Sequence, residues 1–307
     1  MDLFARAEAL HREGVAAAMV VVIEARGSCP RHAGARMLVA GDGSIFGTIG
    51  GGRVEQVIVD QAIEVAVGAA PRRVFHNLVR DLEMACGGAM EFFLAPIAPI
   101  AADLGRVSQL LERRCPVELT TRYDGGVEVV ALDACAEAPA LRCEADRLVE
   151  ILVPSDRLVL FGCGHVGRAI GPLAAAVGFE VVVCDDGAHE PPEWADRWIA
   201  SFDVAEVERV AGRLGDGDYA VLVTRAHPID LSILEVLLPR RLRYLGMIGS
   251  KRKIEQFRQV LTDKGIATPE RWQRLHAPIG VAIGAETPEE IAVSVVAQLI
   301  ATRRSAE

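Results

Sequence analysis

The chain runs to 307 residues, is 51% hydrophobic, and carries 42 acidic against 33 basic residues for a formal charge of −9. That length sets a prior of about two domains, each with enough apolar material for its own core. The acidic balance excludes nucleic acid as a general partner, and the absence of an apolar run of roughly 18 residues excludes a membrane-spanning helix.

In chain order, residues 3–13 are predicted helical and 18–25 a β-branched strand. Residues 36–40 and 44–49 form a hairpin about Gly41-Asp42-Gly43. A helix follows over 54–67, apolar at Val54, Val57, Ile58, Ile63 and Val67. Strands at 73–79 and 89–97 flank the loop Met84-Ala85-Cys86-Gly87-Gly88, and a helix at 102–113 with a hairpin of 117–121 and 127–131 completes an α+β unit. Residues 133–146 show no periodicity, so the boundary is placed between a first domain, 1–147, and a second, 148–307. The second opens β-α-β over 158–184 and continues through strands at 219–223 and 243–247, each followed by a helix. Ser250 caps the helix 251–264, and Thr287-Pro288-Glu289-Glu290 is a capping box for a final helix to about Arg303. This alternation predicts an α/β chain: an N-terminal α+β domain, then a Rossmann-like parallel sheet covered on both faces.

The opening residues, Met1 to Arg6, lack the basic n-region and apolar core of a secretory signal, so a cytoplasmic chain is expected. Seven cysteines, at 29, 86, 115, 135, 143, 163 and 184, show no paired C-x-x-C spacing, which predicts reduced thiols and no structural zinc. Cys163 and Cys184 read as small space-filling residues.

The apolar run Leu158–Phe161 breaks into G-x-G-x-x-G at Gly162, Gly164 and Gly167. In a dinucleotide fold the first glycine makes the tight turn, the second lets backbone approach a pyrophosphate, and the third lets helix pack on strand. Asp185 ends the next strand 18 residues past Gly167, about where a ribose-binding carboxylate sits. Alone, this pattern announces an NAD(P)-dependent oxidoreductase, with His227 in Thr224–Asp230 as proton donor and Asp230 either orienting it or capping a helix.

The first domain holds a second glycine cluster, Gly50-Gly51-Gly52, followed by Arg53 and Glu55. Successive glycines form a nest of N–H groups, and the following helix adds positive potential for an anion. Glu55 equally suits a plain first-turn acid. The loop Gly27–Arg36 adds Arg26, Arg31 and Arg36 nearby, favouring an anionic ligand over a merely solvated loop. Cys86 has small neighbours, Ala85, Gly87 and Gly88, that leave room to expose the sulfur and supply N–H groups favouring the metal-binding thiolate. A packed, inert cysteine is the competing account.

Together, several phrases resemble the XdhC/CoxI family of accessory proteins for molybdenum hydroxylases. They are G-S-C-P-R at Gly27–Arg31, G-A-R-M at Gly34–Met37, G-G-G-R-V-E at Gly50–Glu55, C-G-G at Cys86–Gly88 and F-G-C-G-H-V-G at Phe161–Gly167. The later ones are Y-L-G-M-I-G-S-K-R at Tyr244–Arg252, H-A-P-I-G at His276–Gly280, I-G-A at Ile283–Ala285 and T-P-E-E-I-A at Thr287–Ala292. The chain departs from the family at Arg53, often Cys there, which shifts weight for sulfur ligation onto Cys86. It departs again at Val281-Ala282, often Leu-Asp.

The resemblance implies a carrier rather than an enzyme. It is expected to bind the molybdenum cofactor, support its sulfuration and deliver it to a hydroxylase apoenzyme such as xanthine dehydrogenase. A cysteine desulfurase and a second copy of the chain are the other implied partners, and a nucleotide at the Rossmann loop is a further expected ligand. The cofactor-binding residues expected on this reading are Arg31, Gly50, Gly51, Gly52, Arg53, Glu55, Cys86, Gly87, Gly88, Gly162, Gly164, Gly167, Asp185 and His227, with Cys86 the metal ligand.

Overall fold

The structure, a computed structural model, describes residues 2–82, 87–133, 140–186 and 190–305. Its contacts divide the chain into two units, Met1–Pro154 and Ser155–Glu307.

Unit 1 begins with α1 (Leu3–Arg12), β1 (Ala17–Arg26), β2 (Arg36–Ala40), β3 (Ile45–Gly47), α2 (Gly52–Ala66), β4 (Arg72–Asn77), β5 (Ala89–Pro96) and α3 (Ala101–Glu112). Five of these strands form an antiparallel sheet in the order β3-β2-β1-β5-β4. The central strand β1 is apolar from Ala17 through Ile23 because both its faces are covered. Val20 and Val22 pack with Ile58 and Val65 of α2, while Met19, Val21 and Ile23 share the opposite core with Leu10 of α1 and Leu104 of α3. This strand alternation puts two helical layers on one sheet.

A second antiparallel sheet, β7-β6-β9-β8, is built from β6 (Val117–Arg122), β7 (Val127–Ala131), β8 (Ala140–Cys143) and β9 (Arg147–Leu152). The last two strands were not expected, since their stretch lacks clean alternation. Strand β9 pairs with β6 from Val117↔Leu152 to Arg122↔Arg147, so the two units part after Pro154 rather than between 147 and 148. Glu150 of β9 is buried and ion-paired with Arg36 of β2, which ties the small sheet to the large one.

Unit 2 runs β10 (Arg157–Phe161), α4 (His165–Ala176), β11 (Glu180–Cys184), β12 (Arg197–Ile199), α5 (Val204–Ala211), β13 (Asp218–Leu222), α6 (His227–Leu237), β14 (Tyr244–Met247), α7 (Lys251–Asp263), α8 (Pro269–Gln273), β15 (Leu275–His276) and α9 (Pro288–Arg304). The six strands are parallel in the order β12-β11-β10-β13-β14-β15, which is the 3-2-1-4-5-6 arrangement of the dinucleotide fold. Alternate residues feed two cores. Leu158, Leu160, Val181 and Val183 meet Ile170 of α4 and Val295 of α9; Val159, Phe161, Val182 and Leu222 meet Val207 of α5, Leu234 of α6 and Phe257 of α7. Ser250 and Thr287 cap their helices as expected, Thr287 with the full capping box. Among the described residues no helix is long and apolar enough to cross a membrane.

Candidate functional site

In unit 1 the pairing of Arg26 with Ala89 brings the loop that leaves β1 beside the loop that enters β5. Their backbones touch. A Cβ placed on Gly88 would lie 2.5 Å from Cys29 Sγ and 2.6 Å from the carbonyl oxygens of Arg26 and Ser28. From the other side, the turn after β3 leans on the same loop, since a Cβ on Gly50 would lie 2.6 Å from Cγ of Pro30. Glycine is therefore required at both positions for the loops at 27–31, 50–52 and 87–88 to meet. Cys29, which sequence reasoning left unassigned, sits at this junction with its thiol 3.2 Å from the Arg26 carbonyl and 3.4 Å from that of Ala89. It serves as packing and hydrogen-bond donor there. Cys86 lies outside the described residues.

The expected anion nest is filled from within. Glu55 Oε2 accepts hydrogen bonds from Thr48 Oγ1 at 2.6 Å, Ile49 N at 2.9 Å and Gly51 N at 3.1 Å, while Gly50 N donates to Thr48 Oγ1 at 3.0 Å. Burial works against the charge on Glu55, but the bonds from Thr48 and the backbone at 49–51 together hold its carboxyl below the ordinary value. Glu55 thus shapes the turn from inside, its Oε2 shared among three donors.

What remains for an external anion is the first turn of α2, whose N-cap, Gly51, contributes no side-chain acceptor and would meet no atom within 4 Å on gaining a Cβ. Gly52 and Arg53 are exposed at that turn, and Gly87 is likewise exposed with open space around it.

The three loop arginines separate into different roles. Arg26 pairs with Glu24 at 2.6 Å and Arg36 with buried Glu150, so both are committed internally. Arg31 is exposed and has no carboxylate partner among the described residues. The anion preference expected of the whole loop therefore rests on Arg31.

In unit 2 the glycine loop has the geometry its spacing predicts. Gly162 turns at φ +109°, and a Cβ there would lie 2.6 Å from the Val223 carbonyl oxygen. A Cβ on Gly167 would lie 2.0 Å from the Gly162 carbonyl oxygen, which is the close helix-on-strand contact. Gly164 is the N-cap of α4, with no atom near its missing side chain. Asp185 holds the loop itself: its Oδ2 accepts the Cys163 N–H at 2.7 Å, pinning the loop to the end of β11. The residue is 4% exposed, and its Oδ1 is buried without a hydrogen-bond partner. Asp186 and Arg225 form an ion pair that joins the ends of β11 and β13 past the end of β10. Burial pushes the thiols of Cys163 and Cys184 up, in keeping with space-filling roles.

His227 opens α6, exposed, edge-on to Phe257 with ring centroids 6.3 Å apart. Asp230 does not orient it. Instead Asp230, fully buried, accepts from Thr224 Oγ1 at 2.7 Å and from Lys253 Nζ at 2.6 Å, and Lys253 also donates to the Ile248 carbonyl at 3.0 Å. This buried network braces the carboxyl ends of β13 and β14, and Lys253 was not foreseen in it. Among the described residues no group of three or more His, Cys, Asp or Glu is arranged to hold a metal ion.

The family models match on both units. One described as the XdhC and CoxI family covers residues 10–77, and one described as the XdhC Rossmann domain covers 158–299. The chain belongs to the XdhC and CoxI family. Among its relatives, YqeB of Escherichia coli K12 is 32% identical over 316 residues, an alignment covering all of this chain and 47% of YqeB. The chain therefore spans about half the length of that relative. The molybdenum cofactor insertion chaperone PaoD of Escherichia coli K12 is 26% identical over 298 residues, covering 94% of this chain and 84% of PaoD. The crystal structure of a xanthine dehydrogenase from Bacillus halodurans matches with a TM-score of 0.82 at 27% identity, covering 100% of this chain and 97% of that one.

Proposed function

We propose that this XdhC-family chain is an accessory protein that binds the molybdenum cofactor, supports its sulfuration and delivers it to a molybdenum hydroxylase. The observation that carries this reading is the meeting of three glycine-bearing loops in unit 1 beside Arg31. The residues suit an anionic pterin phosphate: an unpaired guanidinium, an uncapped first turn of α2, and open space at Gly51 and Gly87. Arg31, Gly51, Gly52 and Arg53 would hold the phosphate end, with Gly50 shaping the turn. Gly87 would give room to the metal end while Gly88 seats its loop against residues 27–31, and Cys86, by its thiolate chemistry, would be the soft ligand for molybdenum. When bound, the cofactor supplies the redox-active molybdenum centre that the hydroxylase uses. Names among the relatives support the partner class: PaoD as an insertion chaperone and the Bacillus halodurans protein as a xanthine dehydrogenase. A cysteine desulfurase and a second copy of the chain complete the proposed partners.

In unit 2 the glycine loop is proposed to take a phosphate or nucleotide. Gly164 leaves room for it, and the unpartnered Oδ1 of buried Asp185 suits a hydroxyl donor. Purification under anaerobic conditions from cofactor-replete cells tests the main reading, with molybdenum and pterin expected in stoichiometric amounts. Protein carrying neither, and unaffected by added cofactor, would refute it. The second reading, an NAD(P)-dependent oxidoreductase, is favoured by the complete dinucleotide strand order. Calorimetric titration with NAD(H) decides it, since a dehydrogenase would bind in the micromolar range and turn over.

A further inference from the structure

The parallel sheet of unit 2 has two edges, and the glycine loop uses only the carboxyl one. At the amino edge, the segments entering β13, β14 and β15 enclose an open cavity of about 640 Å³. Its lining includes Arg241, Arg271 and Arg274, the acids Asp216 and Glu270, and apolar Leu242. A neighbouring hollow carries the surface on to Arg213 and Arg240. We infer that this groove is a docking surface for an acidic segment of a partner protein.

Three observations carry the inference. First, the local charge opposes that of the chain: acids exceed bases 42 to 33 overall, yet arginines dominate here. Of these, Arg240 pairs with Glu208, whereas Arg241, Arg271 and Arg274 have no carboxylate partner among the described residues. Second, two of the guanidiniums are held in place from behind. Arg274 donates to the carbonyls of Arg240 at 3.2 Å and Leu238 at 3.5 Å, and Arg271 to that of Ile266 at 3.0 Å. Their remaining N–H groups are pre-oriented, which lowers the ordering cost of binding a carboxylate.

Third, the groove has the wrong character for a compact polyanion. Asp216 and Glu270 interleave with the arginines and would repel a pyrophosphate. An extended chain with spaced carboxylates avoids both acids and lays its backbone against Leu242 and Pro239. The groove also lies one strand length from the glycine loop, about 16 Å for the five residues of β13. A ligand at the carboxyl edge and a partner at this one do not compete for space.

The test uses the full chain and fluorescence anisotropy with a short labelled peptide in which Asp and Glu alternate with Gly and Ser. Saturable binding is expected, weakened about tenfold or more in Arg241→Glu/Arg274→Glu and lost as salt rises. A peptide with Lys at the acidic positions is expected not to bind. If the double variant melts early, Arg241→Glu alone serves, because no hydrogen bond or ion pair of the Arg241 side chain is among those of the described residues. The inference is overturned if the acidic peptide does not saturate, if the substitutions leave its affinity unchanged, or if inorganic pyrophosphate displaces it at equal concentration. That last outcome marks a small-anion site. None of these readouts depends on which cofactor the chain carries.

Discussion

Replacing Glu55 by alanine removes one acceptor oxygen from three donors at once: the Thr48 hydroxyl and the amides of Ile49 and Gly51. Hydrogen bonds to a charged group contribute about 1.5–3 kcal/mol each, but this carboxylate is half-buried and water can replace part of the loss. Roughly 1 kcal/mol per donor is the better figure, about 3 kcal/mol in all. For a unit of this size each kcal/mol moves the midpoint by about 2–4 °C, so the unit 1 transition should fall by roughly 6–12 °C. Scanning calorimetry on the full chain reads the shift, and amide exchange at Ile49 and Gly51 localises it. The pH dependence follows from the depressed carboxyl of Glu55. Its contribution is present above the ordinary value of 4.5 and is lost as pH falls through the lower folded-state value. The gap between wild type and Glu55→Gln should therefore be widest near neutrality and close in acid. Equal midpoints at neutral pH, or a gap that persists unchanged in acid, would refute the reasoning.

Three further outcomes are expected. Gly164→Ala should melt like wild type while binding nucleotide more weakly, whereas Gly167→Ala, whose Cβ would press on the Gly162 carbonyl, should cost more than about 3 kcal/mol by urea titration. Lys253→Met leaves Asp230 charged and buried with only Thr224 to bond it, and should cost about 3–5 kcal/mol; pairing it with Asp230→Asn should recover part of that loss. Arg31→Ala should leave the stability within about 0.5 kcal/mol of wild type yet lower retained molybdenum, and Cys86→Ser should likewise lower it; full retention in both would count against the proposed site.

The parts of this fold that were legible in the sequence are those where one local rule dominates. The apolar runs of β10 and β11, the glycine loop between β10 and α4, and the capping box at Thr287 are set by neighbours in the chain and emerge as expected. Of the missed strands, β9 owes its place to pairing with β6, far off in sequence, and β8 is added to the sheet only through β9; neither carries a periodic signal of its own. The site was legible in its loops and less so in its charges. Nothing local distinguishes Arg31 from Arg36, because the partner that removes Arg36 from ligand duty is Glu150, more than a hundred residues later. Glu55 and Asp185 were read as facing a ligand because of where they stand. Each also holds the backbone of its neighbouring glycine turn, Glu55 through Oε2 and Asp185 through Oδ2, a role that only the geometry of those turns could reveal.

Gly50 and Gly88 bring their backbones directly against the loop at 27–31, Gly50 on the ring of Pro30 and Gly88 on the Cys29 sulfur and the carbonyls of Arg26 and Ser28. The glycines contribute no side chain to that seam and the proline ring is stiff, so little rotamer freedom is left on which the loops could slip past one another. Release of a carried molecule cannot come from one loop swinging open while the others stay. It requires either that the whole seam shift together, or that the exposed pieces at its rim, Arg31 and the first turn of α2, surrender the cargo while the backbone stands still. On the proposed carrier role, the second route would make handover a competition between two surfaces for one anion, with the receiving enzyme setting the outcome.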